Sequence, residues 1–139
     1  MIARLLPLLL LAATAAAAAS PPNIRVCWGY GCDRSARVTL PAAPDPATER
    51  RRIARAIARF ERAVGPITGT DADRYENATG SGLPGQQDCI DESRNTTAYL
   101  QALAERGLLA WHRVEDRAHR IRWILDQHWT AVVRDRSSG

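Results

Sequence analysis

The sequence predicts an α+β domain in which helices pack on a short antiparallel sheet. Two helical stretches occupy the middle of the chain, and runs rich in β-branched and aromatic residues close it. An uncharged N-terminal run, Leu-rich and then Ala-rich, stands apart from both. It reads as a leader, which leaves a single domain over residues 20–139.

In the leader, Arg4 supplies a short positive start and Leu5 to Ala19 carry no charge. That apolar stretch falls short of the roughly 20 residues a bilayer-spanning helix needs. Ala17-Ala18-Ala19 before Ser20 suits signal-peptide cleavage, and Pro21-Pro22 prevent a helix from running on. A retained N-terminal anchor is the alternative; no Cys follows the apolar run to carry a lipid. The expectation is a signal peptide over residues 1–19 and a periplasmic or secreted domain, with no stable membrane insertion after cleavage.

The formal charge is +4, and all 19 basic residues are arginine. Mild basicity permits association with anionic surfaces without specifying one. With a single Phe, no Lys and no recognisable motif, nucleic acid is not an expected partner.

At the start of the domain, residues 20 to 26 are expected to be extended, with Ile24 and Val26 on one face, and Arg37 to Leu40 to form a second short strand. Cys27 and Cys32 enclose Trp28-Gly29-Tyr30-Gly31, a short loop that can bring two sulfurs together. A disulfide between them suits an oxidising compartment. The competing reading is a metal site, of which two cysteines supply half. With three cysteines in the chain, that pairing leaves Cys89 as a lone thiol.

Pro41 to Pro46 form a rigid connector into a helix expected over Ala47 to Val64, with Thr48 as the candidate N-cap. Ile53, Ala56, Ile57, Phe60 and Val64 recur at helical spacing and make one apolar stripe. Arg51, Arg52, Arg55, Arg59 and Arg62 lie largely off it. That basic face suits a polyanion or, more simply, solvent. Gly65-Pro66 is the expected stop.

The segment from Gly65 to Gln87 is polar and Gly-rich, without an apolar period. Asp71, Asp73 and Asn77 echo a calcium loop, but the central Gly and closing Glu of such a loop are missing from the required places. Asn77-Ala78-Thr79 and Asn95-Thr96-Thr97 match the glycosylation sequon, a pattern that also arises by chance. A second helix is expected from Asp88 to Arg106, capped by Asp88 and closed by Gly107. Strands follow at Leu108 to Val114, Ile121 to Leu125 and His128 to Val133, with an Arg-rich connector from Arg117 to Arg122.

The chemistry centres on Cys89, in the first turn of the second helix. Backbone N–H groups and the positive end of the helix dipole favour a thiolate there. Asp88, Asp91 and Glu92 oppose it, so a nearby base is needed. His128 begins the last strand. A Cys at a helix start facing a His on an antiparallel sheet is the arrangement of papain-like nucleophilic catalysis. The bland reading of Cys89 is a small core residue. His112, between Trp111 and Arg113, reads as packed or surface, and His119 as solvated. A zinc site from Cys89 with these histidines has no recognised spacing. No metal or cofactor is therefore expected.

Gly85-Gln86-Gln87-Asp88-Cys89-Ile90-Asp91-Glu92 and Gln127-His128-Trp129-Thr130-Ala131-Val132 resemble an uncharacterised family of exported bacterial proteins. Cys27-Trp28-Gly29-Tyr30-Gly31-Cys32 and Trp111-His112-Arg113-Val114 fit the same pattern. More distantly, the order of Cys-helix and His-strand is similar to that of the transglutaminase-like and papain-like cysteine proteinases. The resemblance implies a papain-like/transglutaminase-like core that is either incomplete at its C-terminus or has its third triad member dispensable or supplied elsewhere. Cys89 would be the nucleophile and His128 the general base and then acid. Gln86 or Gln87 would donate to the oxyanion together with the Cys89 N–H. In that superfamily an Asp on the strand after the His completes the triad. Here Asp135 lies on the His128 strand itself, seven residues on. The expected function is an exported thiol-dependent amide hydrolase or acyltransferase acting on peptides or cell-wall peptide stems. The alternative is a non-catalytic exported binding or structural protein of the same fold.

Overall fold

The structure, a computed structural model, describes residues 23–28, 31–37, 40–74, 83–122 and 126–138. For 23–28, 31–37, 122 and 126 it describes the backbone alone. The leader expected over residues 1–19 lies outside the described residues. In chain order the elements are β1 (Asn23–Trp28), β2 (Gly31–Arg37), α1 (Pro46–Thr68), a 3-10 turn (Thr70–Ala72), α2 (Cys89–Glu105), β3 (His112–Arg122), β4 (Asp126–Asp135) and a closing 3-10 turn (Arg136–Ser138). The fold is mixed helix and antiparallel strand, as the hydrophobic patterning predicts.

α1 begins two residues before the expected cap. Asp45, extended at φ −154°, accepts from the Thr48 N–H at 2.7 Å, and Pro46 opens the helix. Thr48 thus sits inside the first turn, where its hydroxyl donates to the other Asp45 oxygen at 2.7 Å. Asp45 takes the cap because Pro46 suits the first helical position, where its missing N–H costs nothing. The helix also passes its expected stop. Pro66 forfeits one hydrogen bond, but Gly69 in the left-handed region closes the last turn through its N–H to Gly65 O at 2.7 Å.

α2 starts where expected. The Asp88 carboxylate accepts from Ile90 N at 2.9 Å and Asp91 N at 3.0 Å. At the other end the Gly107 N–H bonds Ala104 O and the Leu108 N–H bonds Leu103 O, at 2.9 and 3.0 Å. This double closure requires a left-handed residue, supplied by Gly107.

The core forms between the helices. Phe60 of α1 stacks on Tyr99 of α2, ring centroids 4.4 Å apart and nearly parallel. Ile53, Ala56, Val64, Leu100, Leu103, Leu40 and Leu109 complete the buried cluster. Val114, Ala131 and Val133 of β3 and β4 pack against this cluster. Losing an aromatic side chain from such a site costs about 3–5 kcal/mol.

β3 and β4 pair antiparallel from His112↔Asp135 to Arg122↔Asp126. The strand therefore begins later than expected and absorbs the Arg-rich stretch expected to be a connector. Leu108 to Trp111 stay irregular because Glu49 takes the N–H groups of Ala110 and Trp111. Between Glu115 and Ala118 the register shifts, so that Asp116 and Arg117 together oppose Ala131. Such a bulge bends the strand and re-aims a side chain. Of the strand expected at Ile121 to Leu125, residues 121 and 122 close β3 and the remainder lies outside the described residues.

β1 and β2 form a separate antiparallel hairpin, β1 beside α2 and β2 beside α1. The second strand precedes its expected position because the Cys27–Cys32 segment is itself the hairpin end, with Trp28 paired to Gly31. Cys27 and Cys32 stand on the two paired strands. Their side chains, and with them the expected disulfide, lie outside the described atoms. Among the described residues no helix is long and apolar enough to cross a membrane.

Candidate functional site

Cys89 is the first residue of α2, half-buried, directly after its Asp88 cap. Its thiol is directed at β4, with Sγ 3.9 Å from the Gln127 carbonyl oxygen. The sulfur thus touches the backbone immediately before His128. Carboxylates crowd the same helix end: Asp91 is buried, with Arg94 3.9 Å away, and Glu92 lies one turn beyond Cys89.

His128 is exposed and lines a cleft of about 170 Å³ between α2 and β4. Glu92, Ser93 and Thr96 form the helical wall; Trp129, Thr130 and Ala131 continue the strand wall. Partial burial in this cleft pushes the Glu92 carboxyl above its ordinary range. The charge of Asp73 raises it further, while His128 pulls it down. Among the described residues no hydrogen bond joins Cys89 to His128. The sulfur lies against the β4 backbone at Gln127, and the His128 imidazole lines the cleft.

The two glutamines upstream brace the approach to α2. Gln86 accepts from Arg74 N at 3.3 Å and donates to Ala72 O at 3.1 Å, so one of its carboxamide N–H groups is committed to the 3-10 turn. Gln87 is buried, and its backbone N–H donates to Asp73 Oδ1 at 3.2 Å. Gly85 lets the loop pass this closely. Its φ is +75°, and a Cβ there would fall 2.5 Å from Gly69 O. The chain leading into Cys89 is thereby pinned to the end of α1.

Arg117, which the bulge carries to α2, ties the two walls together. Its guanidinium donates to Ser93 Oγ at 3.1 Å and reaches Ile90 O at 3.5 Å. It also lies 4.9 Å over the Trp129 ring. His119, exposed as expected, stacks on Trp129 at 4.4 Å, and its Nε2 meets Gln127 Oε1 at 3.1 Å. The contacts of Arg117 were not legible from residue spacing, because the bulge that places it leaves no pattern of its own.

A second polar centre escaped the sequence reading altogether. Glu49, fully buried, accepts from the N–H groups of Ala110, Trp111 and His112 and from His112 Nδ1. His112 is itself 1% exposed, so of the two readings open to it the packed one holds. The missed signal was Glu49 lying four residues before Ile53, on the apolar stripe. Glu61 lies beside Tyr99 of the core stack. Burial pushes the Tyr99 hydroxyl up, and the Glu61 charge adds to that. Burial likewise raises Glu61, with Glu92 and Asp73 contributing.

Among the described residues no group of three His, Cys, Asp or Glu side chains is arranged to hold a metal ion. Of the weak calcium pattern, Asp71 lies in the 3-10 turn and Asp73 caps it, while Asn77 lies outside the described residues. No protein family, curated protein or solved structure matches the chain.

Proposed function

We propose that the chain is an exported thiol-dependent amide hydrolase or acyltransferase on a papain-like or transglutaminase-like core, with Cys89 as nucleophile and His128 as its base. One observation carries this reading: the Cys89 sulfur rests 3.9 Å from the carbonyl of Gln127, the residue bonded to His128. A helix N-terminus that favours thiolate thus sits beside the strand that bears the imidazole.

In this reaction His128 takes the thiol proton, and the thiolate attacks a substrate carbonyl carbon to form a C–S bond. The carbonyl electron pair moves to oxygen, where the Cys89 N–H donates to it. Collapse breaks the C–N bond, and the leaving amine takes the proton from the imidazolium. Water, or a second amine, then attacks the thioester with His128 as base. The acyl product leaves and the thiol is restored.

The test is the alkylation of Cys89 by iodoacetamide across pH. The reading expects labelling below pH 7 faster than that of free cysteine, and slower after His128→Ala. A rate no faster than free cysteine and indifferent to that substitution would overturn it. The second reading, a non-catalytic exported binding or structural domain, would then stand. It is favoured by one feature: the thiol donates to a main-chain carbonyl, as a packed structural cysteine does.

A further inference from the structure

The cleft sets a carboxylate opposite the proposed base. Glu92 follows Cys89 by three residues, so one helical turn places both on neighbouring parts of α2. Glu92 and His128 line opposite walls of the same cleft, and they attract electrostatically across it. Among the described residues, the Glu92 carboxylate takes no hydrogen bond.

A Cys–His pair works as thiolate and imidazolium, so its base gains from a negative charge that holds the ring and favours its protonated form. Asp135, on the His128 strand, is spent elsewhere: it accepts from Ser137 N at 2.9 Å and lies 3.8 Å from Arg50. It also pairs in register with His112 at the far end of the hairpin. Asp73, Asp88 and Glu61 face Glu92 rather than completing the cleft wall with His128. Arg120, paired with His128 in the ladder, is exposed. Glu92 is therefore the carboxylate that faces His128 on the cleft. We infer that Glu92 is a positioning residue for the thiol centre: from the facing wall of the cleft it orients the His128 ring. This inference rests on the thiol reading above.

Two measurements on the full chain test it. The first is a double-mutant cycle on the Cys89 alkylation rate below pH 7, with Glu92→Gln, His128→Ala and both together. Glu92→Gln should remove most of the acceleration that depends on His128, at least threefold, and flatten the acid side of the pH profile. Glu92→Asp should restore part of it. An unchanged His128-dependent acceleration in Glu92→Gln overturns the inference while the thiol reading stands. If His128→Ala has no effect with Glu92 intact, the thiol pair falls and the role of Glu92 with it. The second measurement is the Glu92 carboxyl titration by NMR. It should move to higher pH in His128→Ala, because the attraction that lowers it is gone. A titration indifferent to His128 overturns the inference independently of reactivity.

Discussion

Glu49 and His112 meet as a buried pair, Oε1 to Nδ1 at 3.0 Å, with both side chains 1% exposed. The carboxylate can only accept, so Nδ1 carries the shared proton. Nε2 then faces the Arg50 guanidinium, 3.4 Å away, as the acceptor. Three consecutive backbone N–H groups, of Ala110, Trp111 and His112, also end on Glu49. One side chain near the start of α1 thereby fixes where β3 begins.

Glu49→Gln should be among the most damaging substitutions in the chain. The carboxamide turns a donor toward backbone N–H groups that have no other partner, and a buried polar network loses its acceptor. We expect a loss of about 3 kcal/mol, in the range of broken buried pairs. Urea denaturation of the variant and the parent measures it. A loss within about 0.5 kcal/mol, the usual range of surface substitutions, would show that this carboxylate does not anchor the strand.

Two carboxyls shift in opposite directions, and acid should separate them. Burial alone would push Glu49 up, but His112 and the three N–H groups hold it below its ordinary range. Its contribution is therefore present above the unfolded value, about 4.3, and is lost as pH falls through the lower folded value. Glu61 is raised by burial, with Glu92 and Asp73 adding to it. Its protonated form suits the fold, so that contribution is present at low pH and lost as pH rises through the raised folded value. Glu61→Gln should accordingly raise the melting temperature at pH 7 and give no gain near pH 4. An equal gain at both values would remove the assigned charge effect.

Gly85→Ala tests the joint that leads into Cys89. The new Cβ would meet Gly69 O at 2.5 Å, on a backbone at φ +75°. Both effects act together, so the loss should exceed the roughly 1 kcal/mol of a strained φ alone. Hydrogen exchange should quicken at Gln87, whose N–H depends on Asp73 across the same joint. Unchanged exchange there would mean that the loop reaches α2 without this close passage.

How far the fold could be read from residues depends on how local the cause is. Asp88 and Gly107 were legible as helix ends because a cap is decided within one turn. The phase of the α1 stripe was legible for the same reason. Asp45 was passed over for Thr48, since both are capping types and only Pro46 between them decides the matter. The end of α1 was misplaced because Gly65-Pro66 is a strong local stop, overridden by Gly69 at the next turn. Glu49 was invisible as a partner of residues 110–112, more than sixty positions away, although a carboxylate on an apolar stripe was a signal. At the site, Cys89 was placed at its helix start from the local pattern alone. Its contact with Gln127 O, the Glu92 wall of the cleft and the seam through Arg117 depend on how α2 meets a bulged strand.

That seam supports the last prediction. Arg117 spends its charge on Ser93 Oγ and Ile90 O of α2 while its plane covers Trp129 of β4. Arg117→Ala should cost about 1–2 kcal/mol, from a charge-assisted hydrogen bond and a partly covered cation–aromatic contact. Arg117→Lys should recover less than half of it, because an ammonium has neither the planar fork nor the stacking face. A double-mutant cycle with Ser93→Ala isolates the hydrogen bond and should give a coupling near 1 kcal/mol. Full recovery by Lys would reduce the contact to charge alone. A coupling of zero would mean that α2 and β4 hold their separation at the cleft without it.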